Sequence, residues 1–414
     1  MNFSSEKEKI IFYYFPVILF SLIPFFLITG PFLSDLSVSL ISVLFLIYCL
    51  KRNNFSFFKN KYFYFFLIFW GYLVINSSIN NFKIDNLGTS LVFCRYGVFI
   101  IAITALLNFD DKFIKYFFYC IFFCFIVLIL DGFYQYFFGE NILGWERTYR
   151  TSSFFGDEKI LGSFVVRFTT IYLSLYFFCL GKVKFDTHSA IVLILCLYLI
   201  LLSNERSALG LFILYIFLIS FIFFKKKKNV FFFLLLVFCL LSISISTSEK
   251  LKNRYIFQFF EQIEVNNLNE NRKFYIFTES HDKLFFTAIN MFKDKPLIGH
   301  GTKNFRFKCE HYKQLNDEKN YSCNTHPHNY YVQMLAENGI IGFFSLSLIF
   351  FYFIFSFIQN FFYKEKNRIL NLMVASNVVS LWPILPHTNF FNNWISIIIF
   401  INFSFYIYMK KNFK

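Results

Sequence analysis

The chain has 414 residues, of which 57% are hydrophobic, 24% aromatic and only 16% charged. This composition gives more apolar surface than a water-soluble core could bury, so it excludes an ordinary soluble protein and indicates a polytopic membrane protein. The formal net charge of +15 would suit nucleic-acid binding, but the clustered cations recur at the ends of apolar runs, where they face anionic lipid headgroups. We therefore expect membrane lipids as partners and no nucleic acid.

Apolar runs long enough to cross a bilayer recur along the chain. A helix needs roughly 17 to 25 mostly apolar residues to span the hydrocarbon core. About twelve runs are predicted as spans, near residues 10–29, 32–50, 61–79, 88–107, 113–138, 159–181, 188–204, 207–224, 229–247, 339–360, 369–386 and 391–409. We expect an all-α fold, a polytopic bundle of transmembrane helices with mostly short connections.

A long interruption after the ninth predicted span divides the chain into three parts. We expect the first nine spans in residues 1–247, a large outer loop in residues 248–338 and the last three spans in residues 339–414. Cations near span ends remain cytoplasmic, and pairs such as Lys51-Arg52 and Lys410-Lys411 lie on alternate connections. Both termini are therefore predicted to be cytoplasmic, and the long loop to lie on the outer side.

The long loop is predicted to be a folded cap. Leu284, Ala288 and Phe292 recur at helical spacing, which indicates short helices on the membrane surface. A structureless loop of this length would be unusual beside a compact bundle. Cys309 and Cys323 lie in the same loop, and an oxidising outer compartment would allow a disulfide worth roughly 3 kcal/mol of loop closure. A zinc pair is the alternative, although its usual spacing differs.

Charges within or beside the spans are candidates for function because they are costly in lipid. Arg95, Asp131, Arg167 and Arg206 are such residues, and a rise of about 1.5 Å per residue places all four in the outer half of the membrane. Asp131 paired with Arg95 or Arg167 would be structural. The alternative is a cationic cavity open to the outside. Arginine forks suit phosphate oxygens, so a diphosphate would fit the excess charge.

Further cations lie in the outer segments. Arg150 follows Trp145 in the loop after the fifth span, where it serves either surface solvation or ligand binding. The segment 296–306, Pro-Leu-Ile-Gly-His-Gly-Thr-Lys-Asn-Phe-Arg, lacks the Gly-Lys-Ser/Thr ending of a nucleotide-binding loop. It is interpreted as a backbone turn in which Lys303 and Arg306 face lipid phosphates.

Histidines are concentrated in the last third of the chain. No acidic or cysteine partner recurs beside them at a helical ligand spacing, so we expect no metal and no other cofactor. His328, at the start of an apolar helix, fits a general base whose pKa lies near ambient pH. The plain alternative for His328 is a side chain that bonds to the backbone at a helix start. The histidines considered are His281, His300, His311, His326, His328 and His387.

The string around His328 resembles the signature of the O-antigen ligase family. In that signature His-Asn is followed, after nine positions, by Gly-x-x-Gly, and His328, Asn329, Gly339 and Gly342 match it. The resemblance extends to nearly the whole chain. It includes the predicted spans, the large outer loop before the tenth span, and Arg206 between the seventh and eighth spans. One departure concerns a family arginine in the helix before the 296–301 turn, where His281 stands instead; Lys283, Lys303 or Arg306 are candidate substitutes.

The resemblance implies a metal-independent, inverting glycosyltransferase in the bacterial inner membrane, with its active site on the periplasmic face. The implied donor is a glycan on undecaprenyl diphosphate, and the implied acceptor is a sugar hydroxyl of lipid A-core. His328 would activate the acceptor hydroxyl, while Arg206 would stabilise the departing diphosphate. Substrate-binding roles are implied for Arg95, Arg150, Arg167, His281, Lys303, Arg306 and Asn329, and structural roles for Gly339 and Gly342.

Three alternatives to the ligase remain open. An O-antigen polymerase would use the same donor with a second lipid-linked glycan as acceptor, and a related enzyme would attach the glycan to protein. A polysaccharide transporter or flippase would use the buried charges as a translocation path. The crowding of these charges in the outer half disfavours the transporter, since alternating access places the binding site near the midplane.

Overall fold

The chain forms a helical bundle, which confirms the expected fold class. The computed structural model describes residues 1–80, 84–265, 273–274, 277–315, 321–361 and 365–412. Within these residues the only strands are β1 (Glu264–Val265) and β2 (Lys273–Phe274), an antiparallel pair in which Glu264 lies opposite Phe274.

Eleven helices precede residues 248–338, which are predicted to lie on the outer side and are called the outer segment below. They are α1 (Glu6–Lys9), α2 (Phe15–Thr29), α3 (Pro31–Lys51), α4 (Lys61–Ile79), α5 (Ile84–Val92), α6 (Cys94–Phe109), α7 (Ile114–Phe138), α8 (Leu161–Leu180), α9 (Thr187–Ser203), α10 (Arg206–Phe223) and α11 (Lys227–Thr247). A π-helical turn, Ile10–Tyr14, joins α1 to α2. Short 3₁₀ turns occupy Ser56–Phe58, Asp111–Phe113 and Ser153–Phe155.

The remaining helices form the outer segment and the end of the bundle. They are α12 (Glu249–Lys252), α13 (Gln258–Ile263), α14 (Glu279–Asp294), α15 (Phe305–Leu315), α16 (Tyr330–Phe361), α17 (Glu365–Ser380) and α18 (Asn393–Asn412). A second π-helical turn, Asn253–Phe257, lies between α12 and α13.

Nine helical stretches of the described chain are long and apolar enough to cross a membrane. They are Glu6–Thr29, Pro31–Lys51, Lys61–Ile79, Leu87–Phe109, Asp111–Phe138, Leu161–Leu180, Arg206–Phe223, Lys227–Thr247 and Tyr330–Asn360. Helix α9 is apolar but shorter. The chain is therefore polytopic, while the count of about twelve spans remains a prediction.

Helices α17 and α18 carry polar side chains that the bundle uses internally. The Ser376 hydroxyl of α17 donates to Asn402 Oδ1 of α18 at 2.7 Å and lies 2.6 Å from the Thr170 hydroxyl of α8. All three residues are buried. Hydrogen bonding within this group offsets the cost of burying polar atoms, so α17 and α18 can pack in the bundle although they are not among its long apolar stretches.

The outer segment has a small apolar core of its own. Leu284, Ala288 and Met291 of α14 pack with Phe305 and Cys309 of α15. Cys309 is disulfide-bonded to Cys323, with their Cα atoms 5.2 Å apart. This bond ties α15 to the segment that leads to His328.

Helix α16 begins at Tyr330, nine residues before the predicted start of the span at residue 339, and it is broken at Gly339. Gly339 has φ 58° and ψ −162°, and a Cβ there would lie 2.4 Å from the carbonyl oxygen of Leu297. The Pro296 carbonyl accepts from Ile340 N at 2.8 Å, and Gly301 N donates to the Glu337 carbonyl at 2.7 Å. The turn at residues 296–301 therefore supplies the hydrogen bonds that the broken helix lacks.

The predicted span at 369–386 is too long at its end. Helix α17 ends at Ser380 because Pro383 and Pro386 cannot continue the helical hydrogen-bond ladder. The segment between α17 and α18 instead carries His387, whose backbone N donates to the His328 carbonyl.

Candidate functional site

A cavity of about 1310 Å³ brings together most of the charged residues expected to act. Its walls come from the α2–α3 turn, the loop before α8, the α9–α10 turn, the region around α13, the start of α14, the residues before α16 and the segment before α18. The ionisable residues that line it are Arg150, Glu158, Lys159, Arg167, Glu205, Arg206, Arg254, Glu261, Glu279, His281, His326, His328 and His387.

The α9–α10 turn places Arg206 at the cavity. Asn204 ends α9 in the left-handed conformation, with φ 57°, and its Nδ2 donates to the carbonyl oxygen of Tyr149 at 2.6 Å. Arg206 then begins α10, and its Nη1 donates to Gln262 Oε1 at 2.7 Å. The turn is thereby fixed to both the loop before α8 and the outer segment.

Glu205 is the buried carboxylate of the site. Its Oε1 accepts from Gly162 N at 2.6 Å and its Oε2 from Ser163 N at 3.1 Å, at the positive end of α8, where a negative charge is favoured. Burial raises the pKa of Glu205 to about 6, against these hydrogen bonds and the nearby Arg150 charge. Both carboxylate oxygens of Glu205 are thus engaged by the start of α8, and among the described residues Glu205 forms no close ion pair with an arginine.

Arg167 is a buried cation in the wall of the cavity. Only 3% of the residue is exposed, and its Nη1 donates to the Ser163 carbonyl at 3.1 Å. Its Nε has no hydrogen-bond partner, and among the described residues no carboxylate forms an ion pair with it. An unpaired buried cation is costly, so the cavity is electrostatically suited to an anion.

His328 lies at the cavity immediately before α16. It has φ 56°, and its carbonyl oxygen accepts from His387 N at 2.6 Å. Its ring lies 4.1 Å from the His326 ring and 5.5 Å from the His281 ring, centroid to centroid. His281 Nδ1 is 2.7 Å from the Thr278 hydroxyl.

The histidine group is held in its neutral form by its surroundings. Burial, and secondarily the charge of His281, lower the pKa of His328 to about 4. Burial and the neighbouring His328 lower the pKa of His326 to about 3, and burial also lowers that of His281. Neutral imidazoles can accept a proton from a hydroxyl group. Among the described residues no group of three histidine, cysteine or acidic side chains is arranged to hold a metal ion.

Four residues expected to bind substrate, Arg95, Lys303, Arg306 and Asn329, lie outside the lining of the cavity. Arg95 Nη2 pairs with Asp35 Oδ1 at 2.6 Å, while Lys303 and Arg306 belong to the segment before and within α15. Asp131 does not pair with Arg95 or Arg167, contrary to one alternative, because its carboxylate accepts from Ile142 N and the Ser153 hydroxyl.

Asn329 orients the start of α16. Its Oδ1 accepts from Tyr331 N at 2.9 Å and its Nδ2 donates to the Pro383 carbonyl at 2.7 Å. Both ends of this amide are therefore engaged by protein. Gly342 lies in the same helix. A Cβ at Gly342 would lie 2.4 Å from the Asn338 Cβ, so a larger residue would collide with the preceding turn.

Arg254 was missed by the sequence-based prediction. It lies in the π-helical turn Asn253–Phe257 and lines the cavity beside Arg206. No motif or periodicity marks it, because it lies in a long segment and reaches the α9–α10 turn only through tertiary packing. Glu205 had a signal, since it precedes Arg206 directly in a short interfacial turn.

Residues 191–347 match the family model described as O-Antigen ligase. The match includes Arg206, Arg254, His281 and His328, whereas Arg150, Arg167 and His387 fall outside it. No curated protein matches the chain.

Proposed function

We propose, from the match of residues 191–347 to the O-antigen ligase family model, that the chain is the ligase that transfers a glycan from undecaprenyl diphosphate to lipid A-core. The acceptor group is a sugar hydroxyl, and the reaction takes place at the periplasmic face of the bacterial inner membrane.

One observation carries this proposal: arginines and neutral histidines from distant parts of the chain line the same cavity. Arg150, Arg167 and Arg206 provide permanent positive charge, while His281 and His328 provide imidazoles. A glycosyl transfer from a lipid diphosphate needs both functions, stabilisation of the anion that leaves and acceptance of a proton.

The proposed step is a single displacement. His328 accepts the proton of the acceptor hydroxyl as its oxygen attacks the anomeric carbon. The bond between that carbon and the phosphate oxygen breaks, and the diphosphate leaves with its electron pair. Arg206 and Arg167 stabilise the charge on the leaving group, and the anomeric configuration is inverted.

The lipopolysaccharide of a deletion strain tests the choice of acceptor. For a ligase we expect bare lipid A-core together with accumulated lipid-linked polymer, restored to a full ladder by the wild-type chain. Core carrying a single repeat would identify a polymerase instead. An unchanged ladder would contradict both, and loss of outward movement of the lipid-linked glycan would identify a flippase.

The variant His328→Asn tests whether His328 is the general base. Asparagine tolerates a positive φ better than most residues, so it preserves the backbone at φ 56° while removing the imidazole. We expect the transfer rate of purified protein to fall by about 10²-fold or more, the usual contribution of a general base. His311→Ala, a change at an exposed histidine outside the cavity, is the control. A His328→Asn enzyme with normal transfer would remove His328 from the reaction.

A further inference from the structure

The segments that carry Arg206 and Arg254 are joined by hydrogen bonds in both directions, although 48 positions separate the two arginines. Nε and Nη2 of Arg206 donate to the carbonyl oxygen of Arg254 at 3.2 and 2.9 Å. Nε of Arg254 donates in return to the carbonyl oxygen of Asn204 at 3.2 Å. Each side chain is thus held by the backbone of the other segment, and the two guanidinium groups are arranged before any ligand binds.

Arg254 retains hydrogen-bonding capacity after these contacts. A guanidinium group has five N–H donors, and the described contacts of Arg254 use Nε and, through Gln258 Oε1 at 3.1 Å, Nη1. Among the described residues, Nη2 has no partner, and no carboxylate forms an ion pair with Arg254. Nη2 and the second Nη1 proton are available to an anionic ligand.

The surroundings of Arg254 are positively charged. The guanidinium of Arg150 and the ammonium of Lys159 lie 5.2 and 4.6 Å from the Tyr149 ring centroid, and Arg254 lies 6.0 Å from the same centroid. Burial, and next the charge of Arg150, lower the pKa of Arg254. Like charges gathered in one partly buried place are relieved by an anion.

We propose that Arg254 binds the diphosphate of the donor together with Arg206, so that the two guanidinium groups contact adjacent phosphates. This inference rests on the proposed function, which supplies a lipid diphosphate as the ligand. A guanidinium fork donates two parallel hydrogen bonds to one phosphate. The charges of Arg206 and Arg254 interact with each other, and two neighbouring cations match two phosphates better than one, so Arg254 selects diphosphate over monophosphate.

The test is binding of two lipids to the full chain in lipid nanodiscs, undecaprenyl diphosphate and undecaprenyl monophosphate. Arg254→Gln removes the charge but keeps the carbonyl oxygen that holds Arg206. We expect its Kd for the diphosphate to rise at least about tenfold, and its Kd for the monophosphate to change much less. Lys252→Gln, at an exposed lysine in the preceding turn, should leave both affinities unchanged.

A double variant separates direct binding from an effect through Arg206. If Arg254 contacts the ligand, Arg206→Gln combined with Arg254→Gln binds the diphosphate more weakly than Arg206→Gln alone. Arg254→Lys, which keeps the charge but not the fork, should recover only part of the affinity.

Three results would overturn the role of Arg254: normal diphosphate affinity in Arg254→Gln, equal losses for both lipids, or no further loss in the double variant. A wild-type chain that binds neither lipid would instead contradict the proposed function itself. None of these binding measurements requires transfer activity.

Discussion

Three of the described non-glycine residues with positive φ lie at the cavity or directly precede a residue that lines it. His328, Asn204 and Ser153 have φ of 56°, 57° and 50°, and such a conformation costs a non-glycine residue roughly 1 to 2 kcal/mol. The cost is offset by contacts such as the bond from His387 N to the His328 carbonyl. Backbone strain is therefore located where the proposed chemistry takes place.

Individual site residues differ in how far the sequence reveals them. His328 and Arg206 are predictable because one belongs to a motif and the other to a short turn between two spans. The position of Arg95 outside the cavity is not predictable, because the Asp35 carboxylate that neutralises Arg95 lies 60 positions away in the sequence. Arg254 is not predictable either, since only the folded chain shows that it reaches Asn204.

The pH dependence of transfer follows from the pKa of His328. The neutral imidazole is the active base, and an unperturbed histidine would become protonated as the pH falls through about 6.5. The pKa of His328 is lowered to about 4, so the neutral form persists at lower pH. Glu205 of the same cavity has a pKa of about 6, so the test uses Glu205→Gln, which removes that titration. We expect kcat/KM of the purified variant to be nearly constant from pH 7 to about 5.5 and to fall only below that range. An acidic limb centred near 6.5 in this variant would contradict the expectation.

At the scale of elements, the kink in α16 and the 296–301 turn form one unit. A Cβ at Gly299 would lie 2.6 Å from backbone atoms of Glu337 and Gly339, and a Cβ at Gly339 would meet Leu297 equally closely. The spacing of the glycines was predictable from the sequence, but their mutual backbone contact was not, because it joins segments 40 residues apart. This close contact sets the direction in which α16 leaves His328.

Gly339→Ala tests this unit. The added methyl group meets the Leu297 carbonyl at 2.4 Å in a left-handed backbone conformation, so we expect the free energy of unfolding to decrease by about 3 kcal/mol or more. Gly71→Ala is the matched control, since a Cβ at Gly71 in α4 meets nothing within 4 Å. Thermal unfolding of the two purified variants measures the difference. Equal melting temperatures would show that the contact at Gly339 is not tight.

At the scale of the whole molecule, hydropathy predicts the bundle better than it predicts the cavity. Long apolar runs form helices irrespective of the segments that pack beside them, because every backbone group in lipid must be hydrogen-bonded within the helix. The cavity, in contrast, is lined by residues from Leu27 to Trp394. Which helix ends meet around it depends on long-range packing, which no local pattern contains.

The predicted orientation of the bundle is open to a labelling test. Asp157 and Lys184 are exposed at the two ends of α8, and the charge pattern assigns them to opposite sides of the membrane. In a chain with Ser at the exposed Cys179 and Cys239, Asp157→Cys should react with an impermeant maleimide in spheroplasts. Lys184→Cys should react only after lysis. The reverse pattern would invert the orientation and place the cavity in the cytoplasm.

The bond between Trp394 Nε1 and the Leu27 carbonyl, 3.3 Å long, joins residues 367 positions apart at the rim of the cavity. In a chain that is synthesised and inserted from its N-terminus, Arg206, Arg254 and His328 are therefore present before Trp394 can complete its side of the cavity. The pocket is closed only when α18 is in place, so premature termination before Asn393 would leave every proposed catalytic side chain present but the chamber open on one side. Assembly order thus delays a competent site until α18 has been inserted.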